Sequence, residues 1–81
     1  MVKIIGIKLP QRLETAPAFQ EILSKYGCSI RTRLGIHDVN EGHCSPDGVI
    51  LLDLVADDEI IKSMVKDLKN IAGLKYEMLT L

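Results

Sequence analysis

Three side chains between residues 37 and 47 belong to the types that bind transition metals. His37, His43 and Cys44 offer two imidazoles and a thiolate, donors that suit zinc, nickel and copper. Adjacent side chains of an extended chain point to opposite sides, so a turn at Gly42 is needed for His43 and Cys44 to converge. The segment predicts a transition-metal site, and two alternatives stay open: a polar loop that faces water, and a redox-sensing Cys44.

Two arginines define a second candidate site. Arg31 and Arg33 stand two residues apart in an alternating segment, which places them on one face of a strand, about 7 Å apart. Gly35 follows on the same face and leaves room for a ligand or a second backbone. Because a guanidinium offers a planar fork of donors, we expect an anion or carboxylate clamp on the open face of this strand. The alternative is that these charges protect an edge strand or bridge to a neighbouring subunit.

The sequence contains no recognisable catalytic constellation. No Ser/His/Asp spacing, glycine-rich phosphate loop or pair of carboxylates on a common predicted wall occurs. Asp53 is the single acidic residue within an apolar segment, and pairing with an arginine of the neighbouring strand explains it. We therefore expect a binding protein rather than an enzyme, with no catalytic residues.

Length and composition limit the class of protein further. The 81 residues suffice for one small domain over residues 1–81, and 10 basic against 11 acidic residues argue against binding nucleic acid or anionic membranes through bulk charge. The longest apolar run, residues 49–52, is too short to cross a membrane, and residues 1–10 lack the apolar core of a signal peptide. We expect a soluble, cytoplasmic protein whose two cysteines form no disulfide.

Hydrophobic periodicity predicts four strands and two helices. The strands cover residues 2–9, 28–36, 49–56 and 74–81, and the helices cover residues 15–26, N-capped by Thr15 and closed by a left-handed Gly27, and the segment from Asp57 and Asp58 to Gly73. The order βαββαβ is that of an α+β ferredoxin-like sandwich, a four-stranded antiparallel sheet with two helices on one face. The segments 2–9 and 49–56 are apolar on both faces, so we place them in the centre.

The side-chain pattern of these strands predicts self-association. Residues 28–36 alternate so that Cys28, Ile30, Thr32, Leu34 and Ile36 face the core, with Cys28 a buried, inert thiol. The sheet face without helices would expose Val49, Leu51, Val55 and part of residues 2–9. An apolar patch of this kind is seldom left in water. We expect a homo-oligomer, dimer or tetramer, that buries this face or extends the sheet edge to edge.

Several short motifs resemble those of one family. IGI at residues 5–7, EILSKYG at residues 21–27, the RxG of residues 33–35 and IAGLK at residues 71–75 are similar to the iron-only hydrogenase system regulators. These are small stand-alone ACT-like proteins, and the resemblance covers most of the chain. It implies an oligomeric ACT-like regulatory domain whose effector binds near the turn into the first helix, at a subunit interface. Gln11 and Arg12 are the candidate ligand-binding residues in that turn, where unpaired helix N–H groups can meet a carboxylate.

The polar segment 37–47 is an insertion relative to that family, and it resembles the metal-binding part of another. Nickel-responsive repressors end in an ACT-like domain whose metal site uses histidines and a cysteine around the second and third strands. His37, His43 and Cys44 are similarly spaced here, which implies zinc or nickel as a possible cofactor. The chain has no room for a DNA-binding arm, so we expect no direct contact with nucleic acid. The sequence thus predicts a regulatory protein that senses a small molecule or metal at a subunit interface; the alternative is a metal-binding or metal-delivery module.

Overall fold

The computed structural model describes residues 2–10, 12–36, 39–40, 43–44 and 48–81. Its elements are β1 (Lys3–Leu9), α1 (Arg12–Lys25), a 3-10 turn (Gly27–Ser29), β2 (Ile30–Ile36), β3 (Val39–Asn40), β4 (His43–Cys44), β5 (Gly48–Leu54), α2 (Asp58–Leu68) and β6 (Lys75–Thr80). Four strands form an antiparallel sheet in the order β2-β5-β1-β6. The predicted α+β ferredoxin-like arrangement is confirmed, and so is the central position of the two strands that are apolar on both faces.

The two helices bury one face of this sheet. Alternate residues of β1 and β5 point towards the helices, and Ile5, Ile7 and Leu52 are almost completely buried there. Phe19 of α1 and Met64 of α2 lie in the same cluster, each 1% exposed. The hydrophobic stripes predicted for both helices therefore form the core. Within the described residues, no helix is long and apolar enough to cross a membrane.

Local interactions set the ends of the helices. Asp57 caps α2, since its carboxylate accepts a hydrogen bond of 3.0 Å from the backbone N–H of Ile60. The predicted cap Thr15 is wrong, because α1 begins at Arg12 and the Thr15 hydroxyl donates to the Pro10 carbonyl at 2.8 Å. The glycine after α2, Gly73, has φ of +80°, and a Cβ there would lie 3.0 Å from the Pro10 ring.

A hydrogen-bonded carboxylate ties the two helices together. Asp67 of α2 accepts from the Tyr26 hydroxyl at 2.7 Å and from Lys25 Nζ at 2.9 Å, both at the end of α1. The hydrogen bond from Tyr26, followed by that from Lys25, lowers the pKa of Asp67 below its ordinary value. The contact fixes the end of α1 over α2 at the margin of the core.

The course of β2 departs from the prediction. Gly27 does not close α1 in a left-handed conformation but starts a 3-10 turn that also takes Cys28 out of the strand, and Cys28 is exposed rather than buried. A β-bulge then lies between Ile30 and Thr32. One extra residue on one strand reverses which face each later side chain occupies. Residues beyond the bulge therefore lie on the face opposite to the one their alternation predicts.

Part of the polar connection between β2 and β5 forms a second, two-stranded sheet. β3 and β4 pair antiparallel, with Val39 opposite Cys44 and Asn40 opposite His43. The segment was expected to be an irregular loop, and this pairing brings the backbone of His43 and Cys44 beside that of β3.

The adjacent isoleucines of α2 test the packing of the core. Ile61 is 8% exposed and Ile60 is 38% exposed, so only Ile61→Ala removes side-chain atoms from the core. We expect Ile61→Ala to lower the free energy of unfolding by about 2–5 kcal/mol, and Ile60→Ala to change it by less than about 1 kcal/mol. Urea unfolding followed by circular dichroism measures both values. Equal losses for the two variants would contradict the placement of α2.

Candidate functional site

The face of the sheet away from the helices, called the open face below, carries a diagonal apolar band. The band runs from the end of β2, across β5 and β1, to the end of β6, following the registers of the sheet. Several of its side chains are largely exposed, such as Leu34 at 52% and Leu79 at 50%. Its members are Val2, Ile4, Leu34, Ile36, Val49, Leu51, Val55, Leu79 and Leu81. The predicted exposure of Val49 and Val55 is confirmed, and the bulge adds Leu34 and Ile36 to them.

A polar cluster occupies one corner beside the apolar band. Arg31 at the bulge donates two hydrogen bonds to Asp53 of β5, from Nε at 2.8 Å and from Nη2 at 3.1 Å. The Thr32 hydroxyl donates to the same carboxylate at 3.4 Å. The hydrogen bond from Arg31 is the main cause of the lowered pKa of Asp53. The predicted pairing of Asp53 with an arginine of the neighbouring strand is confirmed, and it already occupies the guanidinium fork of Arg31.

Two lysines form the opposite corner of the open face. Lys8 of β1 and Lys75 of β6 are direct cross-strand partners, and neither forms a salt bridge within the described residues. Like charges placed directly opposite each other destabilise a sheet. An anion, either a ligand or a carboxylate of another chain, would relieve this repulsion.

A shallow hollow lies beside these lysines. It measures about 380 Å³, and Gly6, Val49, Lys75 and Glu77 are among its lining residues. Gly6 lies opposite Leu51 on one side and Glu77 on the other. A Cβ at Gly6 would sit 3.4 Å from Leu51, an ordinary contact, so packing at that atom does not itself demand glycine. The volume is at the lower end of the range for small-molecule sites.

The structure separates Arg31 and Arg33, which were predicted to form one anion clamp. Arg33 lies opposite Leu52, on the helix-covered face of the sheet, and donates from Nη1 to Gln20 of α1 at 3.3 Å. Gly35 lies opposite Ile50 on that same face. The prediction that Arg33 and Gly35 share the open face with Arg31 is wrong, because the bulge reverses the faces between them. Whether any of the three binds a ligand stays a prediction.

The other predicted site residues fall in parts of the chain with little or no description. Gln11 and His37 lie outside the described residues, and Arg12 is described only as the first residue of α1. His43 and Cys44 are described only through the backbone pairing of β4. In the described part of the chain, no group of three or more His, Cys, Asp or Glu residues could hold a metal ion. The metal site predicted at His37, His43 and Cys44 stays a prediction.

Sequence reasoning missed the lysine corner. Lys75 is 67 positions from Lys8 in the sequence, and only the β1–β6 register brings the two together. The antiparallel pairing of the first and last strands was predictable from the ferredoxin-like order. The exact register, which decides whether Lys8 meets Lys75 or Glu77, has no signal in a single sequence.

No protein-family model and no curated protein sequence matches the chain. Among solved structures, it is similar to the uncharacterized protein TM1266 from Thermotoga maritima, with 24% identity over 99% of this chain and 95% of that one, and a TM-score of 0.82. A formyltetrahydrofolate deformylase from Pseudomonas putida has 14% identity and a TM-score of 0.62, and the match covers all of this chain but 29% of the enzyme. The periplasmic divalent cation tolerance protein CutA from Archaeoglobus fulgidus has 14% identity over 100% of this chain and 84% of that one, with a TM-score of 0.54. These likenesses establish the ferredoxin-like α+β fold.

Replacing Arg31 tests the polar corner. In Arg31→Gln the pKa of Asp53 should rise towards its ordinary value, because the charged hydrogen bonds that hold it down are lost. A lowered folded-state pKa stabilises the protein above the unfolded pKa of about 3.9, and this stabilisation is lost as the pH falls through the folded value. The variant should therefore lose less stability on acidification through that range than the unmodified protein.

A carbon-13 NMR titration of the Asp53 carboxyl measures the pKa directly. Asp67 is the internal control, since its partners are Tyr26 and Lys25 and its pKa should not move. An Asp53 pKa that is the same in both proteins would contradict the account of this corner.

Proposed function

We propose that this chain is an ACT-like regulatory domain that works as a homo-oligomer and binds a small anionic effector where two open faces meet. The observation that carries the proposal is the apolar band on the open face. Effector binding at such an interface would bias the association or packing of the copies, and a partner would read the altered surface. On this proposal the protein is a cytoplasmic binding protein with no catalytic role.

The size of the open face supports a second copy as its cover. Four strands about 4.8 Å apart, three of seven residues and one of six, give a face of about 19 Å by 23 Å. Two such faces in contact cover on the order of 900 Å² in projection, close to the lower limit of roughly 1,000 Å² for a specific interface. Leaving the band in water would instead expose nine apolar side chains on one surface.

The charges at the two corners favour one orientation of the copies. A two-fold axis along the apolar band would lay the corner of Asp53 in each copy over the corner of Lys8 and Lys75 in the other. A two-fold axis across the band would lay lysines over lysines. The first orientation lays the neutral Arg31–Asp53 pair over the lysines and so avoids the like-charge contact of the second, which disfavours that alternative.

The hollow beside Gly6 is the effector site in this proposal. It opens onto the open face, so a second copy would close it and exclude water. Lys8 and Lys75 supply two ammonium groups for a carboxylate, and Val49 supplies an apolar wall. Both properties suit a small organic acid or an amino acid. The resemblance to the iron-only hydrogenase system regulators, an oligomeric ACT-like family, agrees with this assignment and stays a prediction.

A charged residue within the band should weaken the oligomer. We expect unmodified protein at micromolar concentration to sediment at twice its 9.0 kDa chain mass or more. Leu34→Glu should weaken association about tenfold or more, because the interface would have to bury an unpaired carboxylate. Ile60→Glu, at an exposed apolar position on the helical side, should leave the mass unchanged.

Sedimentation equilibrium measures these masses, and circular dichroism checks that both variants are folded. A 9.0 kDa species for the unmodified protein would contradict the proposal.

A metal-binding module is the second candidate function. His37, His43 and Cys44 supply the donors, and the structural similarity to CutA, a divalent cation tolerance protein, supports the candidate. Zinc or nickel would suit this donor set. The two candidate functions predict different ligands that stabilise the protein and different residues that bind them.

Metal analysis of untagged protein separates the two functions. We expect no stoichiometric metal, and a thermal midpoint that rises with a small amino acid and ignores a chelator; an effector at about 100 times its Kd adds about 2.7 kcal/mol of stability. One metal per chain, lost in Cys44→Ala and kept in Cys28→Ala, would favour the metal module instead.

A further inference from the structure

A groove of about 320 Å³ lies between α2 and β6, on the helix-covered side of the sheet. Its floor is apolar, formed by Ile61 and Val65 of α2 and by Tyr76 and Met78 of β6. Met78 is 37% exposed, so the floor is open to solvent at the sheet edge. The groove lies on the side of the sheet opposite to the open face, and Tyr76 is the one described lining residue that it shares with the effector hollow.

Three lysines rim this groove: Lys62 and Lys66 of α2, and the C-cap residue Lys69 that follows the helix. Lys62, Lys66 and Lys69 are spaced four and three residues apart, so they lie along one face of the helix, with axial steps of about 6 Å and 4.5 Å. Lys66 and Lys69 form no salt bridge in the described part of the chain, and Lys62 is 3.7 Å from the exposed Glu59. The Lys69 ammonium lies 5.9 Å from the centre of the Tyr76 ring. A chain of net charge −1 therefore carries a concentrated positive edge here.

Among the described residues, no strand pairs with the outer side of β6 next to the groove. β6 is an edge strand whose described partner is β1. Val2 and Leu81 exchange both backbone hydrogen bonds, at 2.8 Å each, which makes them a hydrogen-bonded pair. Such pairs alternate along an antiparallel ladder. Tyr76 and Met78 fall on the alternate positions, so their N–H and C=O groups point outward, and the side chains of the same two residues line the groove.

We propose that this edge binds an extended acidic peptide segment of a partner protein, which adds to β6 as a fifth strand. Main-chain hydrogen bonds to Tyr76 and Met78 provide affinity, and every second side chain of the peptide enters the groove. Alternate side chains of a strand are about 6.7 Å apart, close to the axial step between Lys62 and Lys66. Carboxylates at alternate positions of the peptide thus meet the lysines, while the methylene groups of the same side chains cover the apolar floor of the groove.

Charge decides between this partner and a second copy of the chain. Pairing β6 with β6 around a two-fold axis would bring the two α2 helices side by side, each with its lysine row facing the other. Six ammonium groups would then line one groove, and like-charge juxtaposition of this kind costs several kcal/mol. An acidic strand instead neutralises the lysine row, and it pairs with the outer edge of β6.

The test uses a fluorescent peptide in which Glu alternates with Val, added to the unmodified protein. Anisotropy should reveal binding that weakens as salt is raised. The N–H groups of Tyr76 and Met78 should become protected from hydrogen exchange. The same peptide with N-methylated backbone at alternate positions should bind about tenfold more weakly or worse, because it keeps the charge but loses the strand hydrogen bonds.

Two charge reversals at opposite edges of the sheet give a matched comparison. Lys66→Glu should weaken binding about tenfold, whereas Arg33→Glu, on the exposed edge strand β2, should change it less than about twofold. Equal losses for the two variants, undiminished binding of the N-methylated peptide, or no binding at millimolar peptide would each overturn the proposal. If Lys66→Glu changes the sedimenting mass of the protein without peptide, the groove binds a second copy. That result would also overturn the proposal. These outcomes leave the open face untouched, because Leu34→Glu tests that surface separately.

Discussion

The architecture depends on helical cover that reaches only one side of a four-stranded sheet. Both helices bury the face that includes Ile5, Ile7 and Leu52, and this burial holds the chain together. The central strands are apolar on both faces, so the other side keeps a band of exposed side chains. A small chain with this division has its core on one side and a surface suited to association on the other, and the proposed function follows from the second surface.

A single β-bulge decides what the open face contains. Because an extra residue at Arg31 reverses the faces of β2, Leu34 and Ile36 extend the apolar band. Arg31 keeps the predicted pairing with Asp53, whereas Arg33, beyond the bulge, lies beside α1. One local irregularity thus removes the anticipated arginine clamp and enlarges the surface for a second copy. The groove on the helical side owes nothing to the bulge, since it depends on α2 and the opposite edge strand.

Much of the fold could be predicted from the sequence, because it rests on patterns that the residues themselves carry. Hydrophobic stripes of 3.6-residue period, which include Phe19 in α1 and Met64 in α2, predicted the two helices. The apolar runs predicted the central strands. The pairing of Asp53 with an arginine also followed from its isolation in an apolar strand. The faces of β2 could not be predicted, since Ile30, Leu34 and Ile36 keep an unbroken alternation across the bulge. The lysine corner required a register between the first and last strands that local patterns do not contain.

The proposed function requires that the open face of one copy covers the open face of another. Mixing isotope-labelled with unlabelled protein and recording filtered NOEs detects contacts between methyl groups of different copies. We predict intermolecular contacts for the methyl groups of Leu34, Val49 and Leu51, and none for those of Ile60 on the helical side. A spectrum without intermolecular contacts from the open face, at a concentration where the protein is folded, would contradict the central claim.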